Sequence, residues 1–362
     1  MEYKFSELFT WTSGKPITPS TGEIPIYGSN GIIGFTDTAK YQNKIILGRV
    51  GAYCGSTTYC KDAFNATDNT LITACDESKI IYPYAYYLLK QYHLNDYAGG
   101  AAQPLITQSI LKHLKCDVPN IVTQEKTVNI LAKYDELIEV NNQRIKKLEQ
   151  TAEELYKEWF VRFRFPNWQN TEFENGIPKG WNEKQLSEVA DVTMGQSPPS
   201  DCYNEDKTGL PFHQGVGSYG EWYLVDNIYS SEGKRIAEPN SIIFSVRAPV
   251  GRINITLNRI ILGRGVASIN AKDKNNAFLL WQLKNIFQKE DIIGNGSIFT
   301  SVTKDELLKQ KVIVPNQGIL ESFERNAKSI EKQIRTVYLS NQNLINQRDL
   351  LLPRLMSGKL EV

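Results

Sequence analysis

Two long segments of the sequence carry apolar residues at alternating steps of three and four, and each begins shortly after a proline. The first follows Pro119 and the second follows Pro315. Spacing of 3.5 residues that continues over about five heptads is typical of a coiled coil. A helix of roughly 38 residues is on the order of 57 Å long, which exceeds the width of a small domain. We therefore predict that the two helices pair with each other, antiparallel, because the chain must return between them.

The predicted contact seam of the two helices is largely apolar, with one asparagine near the centre of each helix. Asn141 occupies the seam position that the apolar steps skip in the first helix, and Asn341 lies in the second seam. A buried asparagine is typical of positions that fix the register of a coiled coil at some cost in stability. The predicted seam residues are Leu131, Ile138, Ile145, Leu148, Leu155, Ala327, Ile334, Asn341, Leu344 and Leu351.

The segments that precede the two helices repeat one plan at low sequence identity. FSELFTWTSGKP near the start is matched by LSEVADVTMGQSP near the middle, and the interval from Ser6 to Gly14 equals that from Ser187 to Gly195. Each opening is followed by a β-branched run with a basic residue, a short apolar strand, an amphipathic helix, a glycine-rich loop and a strand that ends in proline. Because each copy of an internal repeat forms its own structural unit, we predict an α+β chain with two mixed α/β domains in pseudo-repeat.

The repeat and the heptads together divide the chain into six segments. We predict a first globular domain at 1–121, a first long helix at 122–163, a linker at 164–181, a second globular domain at 182–316, a second long helix at 317–358 and a tail at 359–362.

Length and composition favour an ordinary two-domain protein of the cytoplasm. A chain of 362 residues suits two cores with connecting elements. No run of residues approaches the roughly 18 apolar positions that a membrane helix needs, and the charged start does not resemble a secretion signal. Five cysteines form an odd set without a CxxC pair, which indicates reduced thiols rather than a disulfide framework or a zinc site.

The usual sequence signatures of catalysis are missing from the chain. It contains no GxxxxGK[ST] loop for phosphates, and its three histidines lack the spacing of metal ligands. No cluster of carboxylates near a lysine indicates a nuclease centre. We therefore assign no catalytic and no metal-binding residues, and we expect a binding or assembly protein.

Local charge and loop composition point to DNA, although the net charge is only +1. Between Lys40 and Lys61 four basic residues occur without an acid, and between Lys234 and Lys272 seven basic residues face only Glu238. Two similar domains at a fixed separation suit a target with two half-sites, as in DNA. Loop residues that could hold phosphates or read bases are Ser29, Asn30, Arg49, Tyr53, Gln103, Gln196, Ser197, His213, Gln214, Arg247, Arg252, Asn295 and Ser297. Each could equally be a solvated loop residue.

Several motifs resemble the specificity (S) subunit of type I restriction-modification systems, over essentially the whole chain. They are the two openings, IPKGW (177–181), ELYKEWFVRF (154–163) and RDLLLPRLMSGKLEV (348–362). The resemblance implies two target-recognition domains, each reading one half of a bipartite, asymmetric sequence in double-stranded DNA. It also implies that the long helices set the gap between the half-sites and dock two modification (methyltransferase) subunits, which restriction subunits can join. S-adenosylmethionine, ATP and Mg²⁺ would be bound by those partners, and this chain would bind no cofactor.

Two other classes of function remain open from the residues alone. A stand-alone DNA-processing enzyme with an unrecognised site would cut DNA with Mg²⁺ and no partner. A coiled-coil adaptor that binds only protein would show no salt-dependent affinity for DNA, whereas a protein that contacts phosphates loses affinity steeply as salt rises.

Overall fold

The computed structural model describes residues 1–100, 104–292 and 301–360, except for the side chains of 288–292. The chain forms two compact units, one of Met1–Asn142 with Tyr338–Val362 and one of Gln143–Val337. Each unit therefore contains one globular part and a portion of each long helix. Helices and strands are mixed within each globular part, which confirms the predicted fold class.

The globular part of the first unit is built on a six-stranded sheet. Its elements are β1 (Glu2–Lys4), α1 (Phe5–Leu8), β2 (Phe9–Ser13), β3 (Ile24–Gly28), β4 (Gly31–Thr36), β5 (Tyr41–Gly48), β6 (Thr57–Ala66), β7 (Thr70–Cys75), α2 (Tyr82–Gln91), α3 (Gln108–His113) and β8 (Lys115–Asp117). The sheet has the order β2-β7-β5-β6-β3-β4, and β1 pairs separately with β8. The apolar face of α2 is buried in a core that also contains Leu352, Leu355 and Met356 from the C-terminal part of the chain.

The second globular part has the same beginning and end but two sheets between them. Its elements are β9 (Phe173–Glu174), β10 (Ile177–Pro178), β11 (Asn182–Gln185), α5 (Leu186–Val189), β12 (Ala190–Met194), β13 (Tyr203–Asn204), β14 (Leu210–His213), β15 (Tyr229–Ser230), β16 (Ile236–Ala237), β17 (Ile242–Ser245), β18 (Ile253–Ile255), β19 (Ile260–Leu262), β20 (Val266–Ala271), α6 (Asn276–Ile292), α7 (Lys304–Leu308) and β21 (Lys311–Val314). One sheet has the order β12-β20-β17-β18 and the other β13-β15-β14-β19-β16. The strand β11 pairs with β21, as β1 pairs with β8.

The repeated openings form the same short helix in both units. The backbone N–H of Lys4 donates to the carboxylate of Glu7 at 2.7 Å, and the N–H of Gln185 donates to Glu188 at 2.9 Å. A carboxylate three residues into a helix satisfies a backbone donor that the helix itself leaves unpaired. This local requirement explains why the glutamate recurs in both openings.

The glycine at the end of each opening lies directly against a tight turn. A Cβ atom on Gly14 would lie 2.0 Å from the carbonyl oxygen of Thr67, and one on Gly195 would lie 2.1 Å from that of Gly263. Both distances are far shorter than any real contact. Only glycine therefore fits, and the two positions mark equivalent turns, at 67–70 and at 263–266.

The two long helices are α4 (Ile121–Tyr156), which continues as a π-helical turn at Lys157–Val161, and α8 (Gln317–Met356). Each begins with an asparagine directly after the proline: the side chain of Asn120 accepts from the N–H of Thr123, and that of Asn316 accepts from the N–H of Ile319. Such caps favour helix initiation. The helix α8 runs through Pro353 and ends three residues later.

The predicted pairing of the long helices is confirmed within the first unit. Asn141 donates from Nδ2 to Oδ1 of Asn341 at 2.8 Å, and Asn341 donates from Nδ2 to Oδ1 of Asn142 at 2.7 Å. Asp135, earlier in α4, pairs with Arg348, later in α8. Contacts that progress in opposite directions along the two helices show that they are antiparallel.

The long helices also pair within the second unit, through aromatic side chains. The ring of Tyr156, at the end of α4, and that of Phe160, in the π-helical turn that follows, have centroids 6.0 Å and 5.0 Å from the ring of Phe323, near the start of α8. Of the ten predicted seam residues, all are buried or half-buried, and those fully buried are Leu131, Ile145, Ala327, Ile334 and Asn341.

A charge in the seam is expected to destabilise the protein. Ile334 is fully buried, so Ile334→Lys should lower the free energy of unfolding by about 3 kcal/mol or more, because an unpaired charge cannot be solvated there. Leu339 on the same helix is 43% exposed, and Leu339→Lys should change stability little. Thermal unfolding of both variants measures the difference, and equal midpoints would contradict the seam.

Glu331 of α8 is a partly buried carboxyl group in the second unit. Its Oε1 atom is enclosed and accepts no hydrogen bond from the described residues. Burial and the neighbouring carboxylate of Glu324 raise the pKa of Glu331 to about 7, although Lys328 and Lys284 act in the opposite direction. Because this pKa exceeds that of an unfolded glutamate, the stabilising contribution is present in acid and is lost as the pH rises through about 7.

Replacing Glu331 should remove this pH dependence. Between pH 5.5 and pH 8 the wild-type protein should lose about 1–3 kcal/mol more stability than Glu331→Gln, since the amide cannot ionise. Chemical denaturation at several pH values measures the slopes. Glu321→Gln, at an exposed position of the same helix, should keep the wild-type slope. Parallel curves for wild type and Glu331→Gln would show that Glu331 titrates normally.

Candidate nucleic-acid interface

Candidate residues of the second unit converge on the turn at 263–266. The backbone N–H of Gln196 donates to the carbonyl of Leu262 at 2.9 Å, and the hydroxyl of Ser197 accepts from the N–H of Arg264 at 3.1 Å. The main chain of Gln214 lies against this turn so closely that a side chain on Gly265 would overlap the Gln214 carbonyl. The loops that follow β12, β14 and β19 are thus held together by main-chain contacts and by the hydroxyl of Ser197.

The two arginines predicted for this unit lie in the connection between β17 and β18, and the start of this connection lies beside the same turn. The N–H of Val246 donates to the carbonyl of Gly265 in the turn at 2.9 Å, and Arg247 is the residue that follows Val246. The carbonyl of Arg252 accepts from the N–H of Ser245 at 2.9 Å. Both arginines are exposed. The structure therefore brings together five of the predicted residues that are far apart in the sequence.

Three further basic residues, which the sequence had not singled out, join this group. Arg264 lies in the turn itself, and the carbonyl of Arg235 accepts from the N–H of Leu262 at 2.8 Å, with Lys234 next to it. All three are exposed. Among the side chains that the structure describes, no carboxylate forms an ion pair with any of them. These residues lie within the basic stretch of the sequence, but only the pairing of β16 with β19 places Arg235 beside the turn.

Candidate residues of the first unit surround the equivalent turn at 67–70. The hydroxyl of Ser29 donates to the carbonyl of Asn69 at 2.6 Å, and the N–H of Arg49 donates to the same carbonyl at 2.9 Å. Tyr53, which is 53% exposed, lies in the turn that follows Arg49. Asn30 and Ser29 line a cleft of about 460 Å³ beside Asn69. This surface is polar, with fewer positive charges than that of the second unit.

His213 lies beneath the surface rather than on it. Its Nδ1 is 2.8 Å from the hydroxyl of Ser218 and its Nε2 is 2.9 Å from Oδ1 of Asp226. Burial opposes ionisation of Asp226, but hydrogen bonds from His213 and Asn258 outweigh it and hold the pKa of this carboxyl below its ordinary value. With both ring nitrogens engaged inside the protein, His213 cannot reach a base edge in this conformation, and we leave it out of the candidate interface.

The remaining sequence predictions cannot be located. Gln103, Asn295 and Ser297 lie outside the described residues. Within the described part of the chain, no group of histidine, cysteine and acidic side chains has the arrangement of a metal site. No helix among the same residues is both long and apolar enough to cross a membrane.

Comparison with known families decides the class of protein. The family model for the type I restriction modification DNA specificity domain matches residues 2–150 and again 178–346. The chain belongs to this family. The two matches correspond to the two copies of the repeat, and together they cover most of the chain.

Individual relatives agree with this membership. A relative from Methanocaldococcus jannaschii that carries the name of the MjaX type I restriction enzyme specificity subunit is 29% identical over 326 residues, covering 87% of this chain and 76% of the relative. The MjaIX specificity subunit of the same organism is 26% identical over 306 residues, covering 78% and 70%. The crystal structure of the type I S subunit from M. genitalium has the same fold, with a TM-score of 0.58 at 18% identity over 98% of this chain and 96% of that one.

Family membership assigns the chain a role in DNA specificity rather than in catalysis. This confirms the expectation from the missing catalytic motifs, and it does not favour the stand-alone enzyme or the protein-only adaptor. The family also implies that this subunit carries no cofactor of its own.

Arg264 is expected to contact a DNA phosphate. Arg264→Ala should weaken binding to double-stranded DNA and reduce the slope of log affinity against log salt by about one, since one fewer counterion is released. Arg259→Ala is the matched control, because Arg259 is exposed at the other end of β19 and pairs with Glu238 at 3.0 Å. Salt titrations of each variant bound to a random-sequence duplex measure the two slopes. Equal slopes for the two variants would show that Arg264 is not part of the interface.

Proposed function

We propose that the two globular parts of this specificity subunit bind the two halves of one bipartite, asymmetric sequence in double-stranded DNA. The observation that supports this most directly is the equivalence of the turns at 67–70 and 263–266. Each turn lies against the glycine that ends the repeated opening, and each gathers exposed or half-buried polar and basic residues from loops far apart in the sequence. Two equivalent surfaces in one chain suit two half-sites.

The two surfaces differ in chemistry, and we propose that the half-sites differ accordingly. The first surface presents Ser29, Asn30 and Tyr53 around a single arginine, whereas the second presents several exposed arginines. Hydrogen-bond donors and acceptors in the loops determine which base edges can be contacted. An asymmetric recognition sequence follows from this difference.

The paired helices are proposed to set the gap between the half-sites. An α-helix rises about 1.5 Å for each residue, so its length is determined by the number of its residues. The antiparallel seam with its central asparagines fixes the register in which the two helices lie, because a shift would bury unpaired amides.

The helices are also proposed to dock two methyltransferase subunits, which restriction subunits can join. Three apolar side chains near the middle of the helices are exposed: Leu137, Val140 and Leu339. Leu137 and Val140 are three residues apart on α4 and therefore neighbours on its surface, and adjacent exposed apolar side chains suit contact with a protein partner. S-adenosylmethionine, ATP and Mg²⁺ would act in those partner subunits, and the assembly would work in the cytoplasm, where the DNA is.

The methylated bases of a host genome test the main proposal. A strain that carries this chain with its methyltransferase partner should modify one bipartite sequence with a constant gap. Methylation without a sequence preference would refute the proposed function.

A paired insertion tests the role of the helices. Adding one heptad to α4 after Asn142 and one to α8 before Asn341 keeps the seam in phase and lengthens the pair by about 10 Å, or roughly three base pairs. The recognised gap should grow by that amount, while both half-sites keep their sequence. Seven residues added at the exposed turn Asn175–Gly176 serve as the control and should change nothing. An unchanged gap in the double insertion would show that the helices do not set it.

A further inference from the structure

A cleft of about 540 Å³ opens in the second unit next to the turn at 263–266. Gln214 and Gly215 line it, and the main chain of Gln214 lies directly against Gly263 and Gly265 of the turn. The cleft is therefore adjacent to the exposed arginines. A nucleic acid bound over the turn would therefore lie next to the cleft.

The walls of the cleft combine apolar and amide groups. Val225 and Ile228 are exposed apolar side chains on its lining, and the rings of Tyr203 and Phe212 are stacked with centroids 4.7 Å apart. Exposed apolar side chains at a DNA interface are suited to the methyl group of thymine. A phosphate is a poor occupant, because the lining also includes the carboxylate of Glu205.

Only two of the amides that line the cleft are available for a ligand. Asn204 is occupied, since its side chain donates to the carbonyl of Thr208 at 2.9 Å and accepts from the Thr208 N–H at 3.0 Å. Gln214 and Asn227 are exposed, and their side chains make no hydrogen bond to any described residue. An amide can bind N6 and N7 of adenine with both of its polar atoms.

The buried histidine explains how these two amides come to share one cleft. His213 directly precedes Gln214, and Asp226 directly precedes Asn227. The hydrogen bond of 2.9 Å between His213 and Asp226 therefore joins the two loops at the positions from which the amides project. Ser218 and Asn258 complete the network, through the other ring nitrogen and the other carboxylate oxygen.

We propose that this cleft reads an adenine·thymine pair through the amides of Gln214 and Asn227, and that His213 and Asp226 are positioning residues for them. The inference rests on the proposed function and names the part of the second surface that determines specificity. One amide contacts N6 and N7 of the adenine, the other donates to O4 of the thymine, and the thymine methyl lies against Val225 or Ile228. Arg264 and its neighbours hold the flanking phosphates.

A randomised double-stranded DNA library, methylated by the full complex and sequenced, tests the two amides. Gln214→Ala and Asn227→Ala should lower the discrimination for an A·T pair in one half-site by roughly tenfold or more, while the other half-site stays unchanged. Gln169→Ala, which removes an exposed amide of the linker region, is the matched control and should give the wild-type profile.

The positioning role is tested by His213→Gln and Asp226→Asn in the same assay. A purely structural role would reduce stability and lower binding to all sequences together. A positioning role predicts lost discrimination at the same A·T pair with unchanged affinity for random-sequence duplex. Loss of all binding, or a wild-type profile, in both variants would refute this role.

The outcomes separate this inference from the proposed function. If wild-type complex shows a bipartite preference but both alanine variants keep it at every position, the cleft is not the reading site and the proposed function stands. Loss of discrimination in both half-sites would also refute the cleft. If the wild-type complex shows no preference at all, the proposed function fails and the inference fails with it.

Discussion

The antiparallel contact between the two long helices is the interaction on which the rest of the structure depends. Each helix begins in one globular part and ends in a hydrophobic core. Leu352 and Leu355 of α8 are buried with the first sheet, and Tyr156 of α4 packs with Phe160 of the following turn against Phe323 in the second unit. The core of the first unit contains side chains of both helices, since Leu131 of α4 is buried with Leu352 and Leu355 of α8, so its packing depends on the register of the pair. The amides of Asn141 and Asn341 make that register specific, because apolar heptads alone permit slippage.

The main chain of the candidate DNA-contacting residues is held in place by hydrogen bonds, some to other main-chain groups and some to serine side chains. Gln196 is fixed through its N–H, Arg235 through its carbonyl, and Arg264 through its N–H. Their side chains are left to project into solvent. A protein built in this way can change the side chains that meet DNA without altering the turn beneath them, which accounts for the low identity between the loops of the two repeats beside their matching openings.

Local and periodic signals made the architecture predictable from the sequence. The heptads predicted α4 and α8 because their spacing depends only on helix geometry, and the two matching openings, with Glu7 and Glu188 at equivalent positions, predicted the repeat. The surfaces were harder, since they depend on strand pairing. Arg235 reaches the turn through the pairing of β16 with β19, which no local pattern indicates. The side chain of His213 is of a type that can contact DNA, but in the folded protein it is buried and hydrogen-bonded to Asp226, thirteen residues later.

The burial of His213 shows why residue type alone is a poor guide to a DNA contact. Histidine, serine and asparagine can read bases, yet the same groups are needed to satisfy buried donors and acceptors in irregular loops. The second unit uses His213, Ser218 and Asn258 for that purpose, and so frees Gln214 and Asn227 from it. In a loop without regular strand pairing, some polar residues form the internal hydrogen bonds that hold the loop in shape, and others stay exposed. The residues without partners inside the protein are those that remain to bind a ligand.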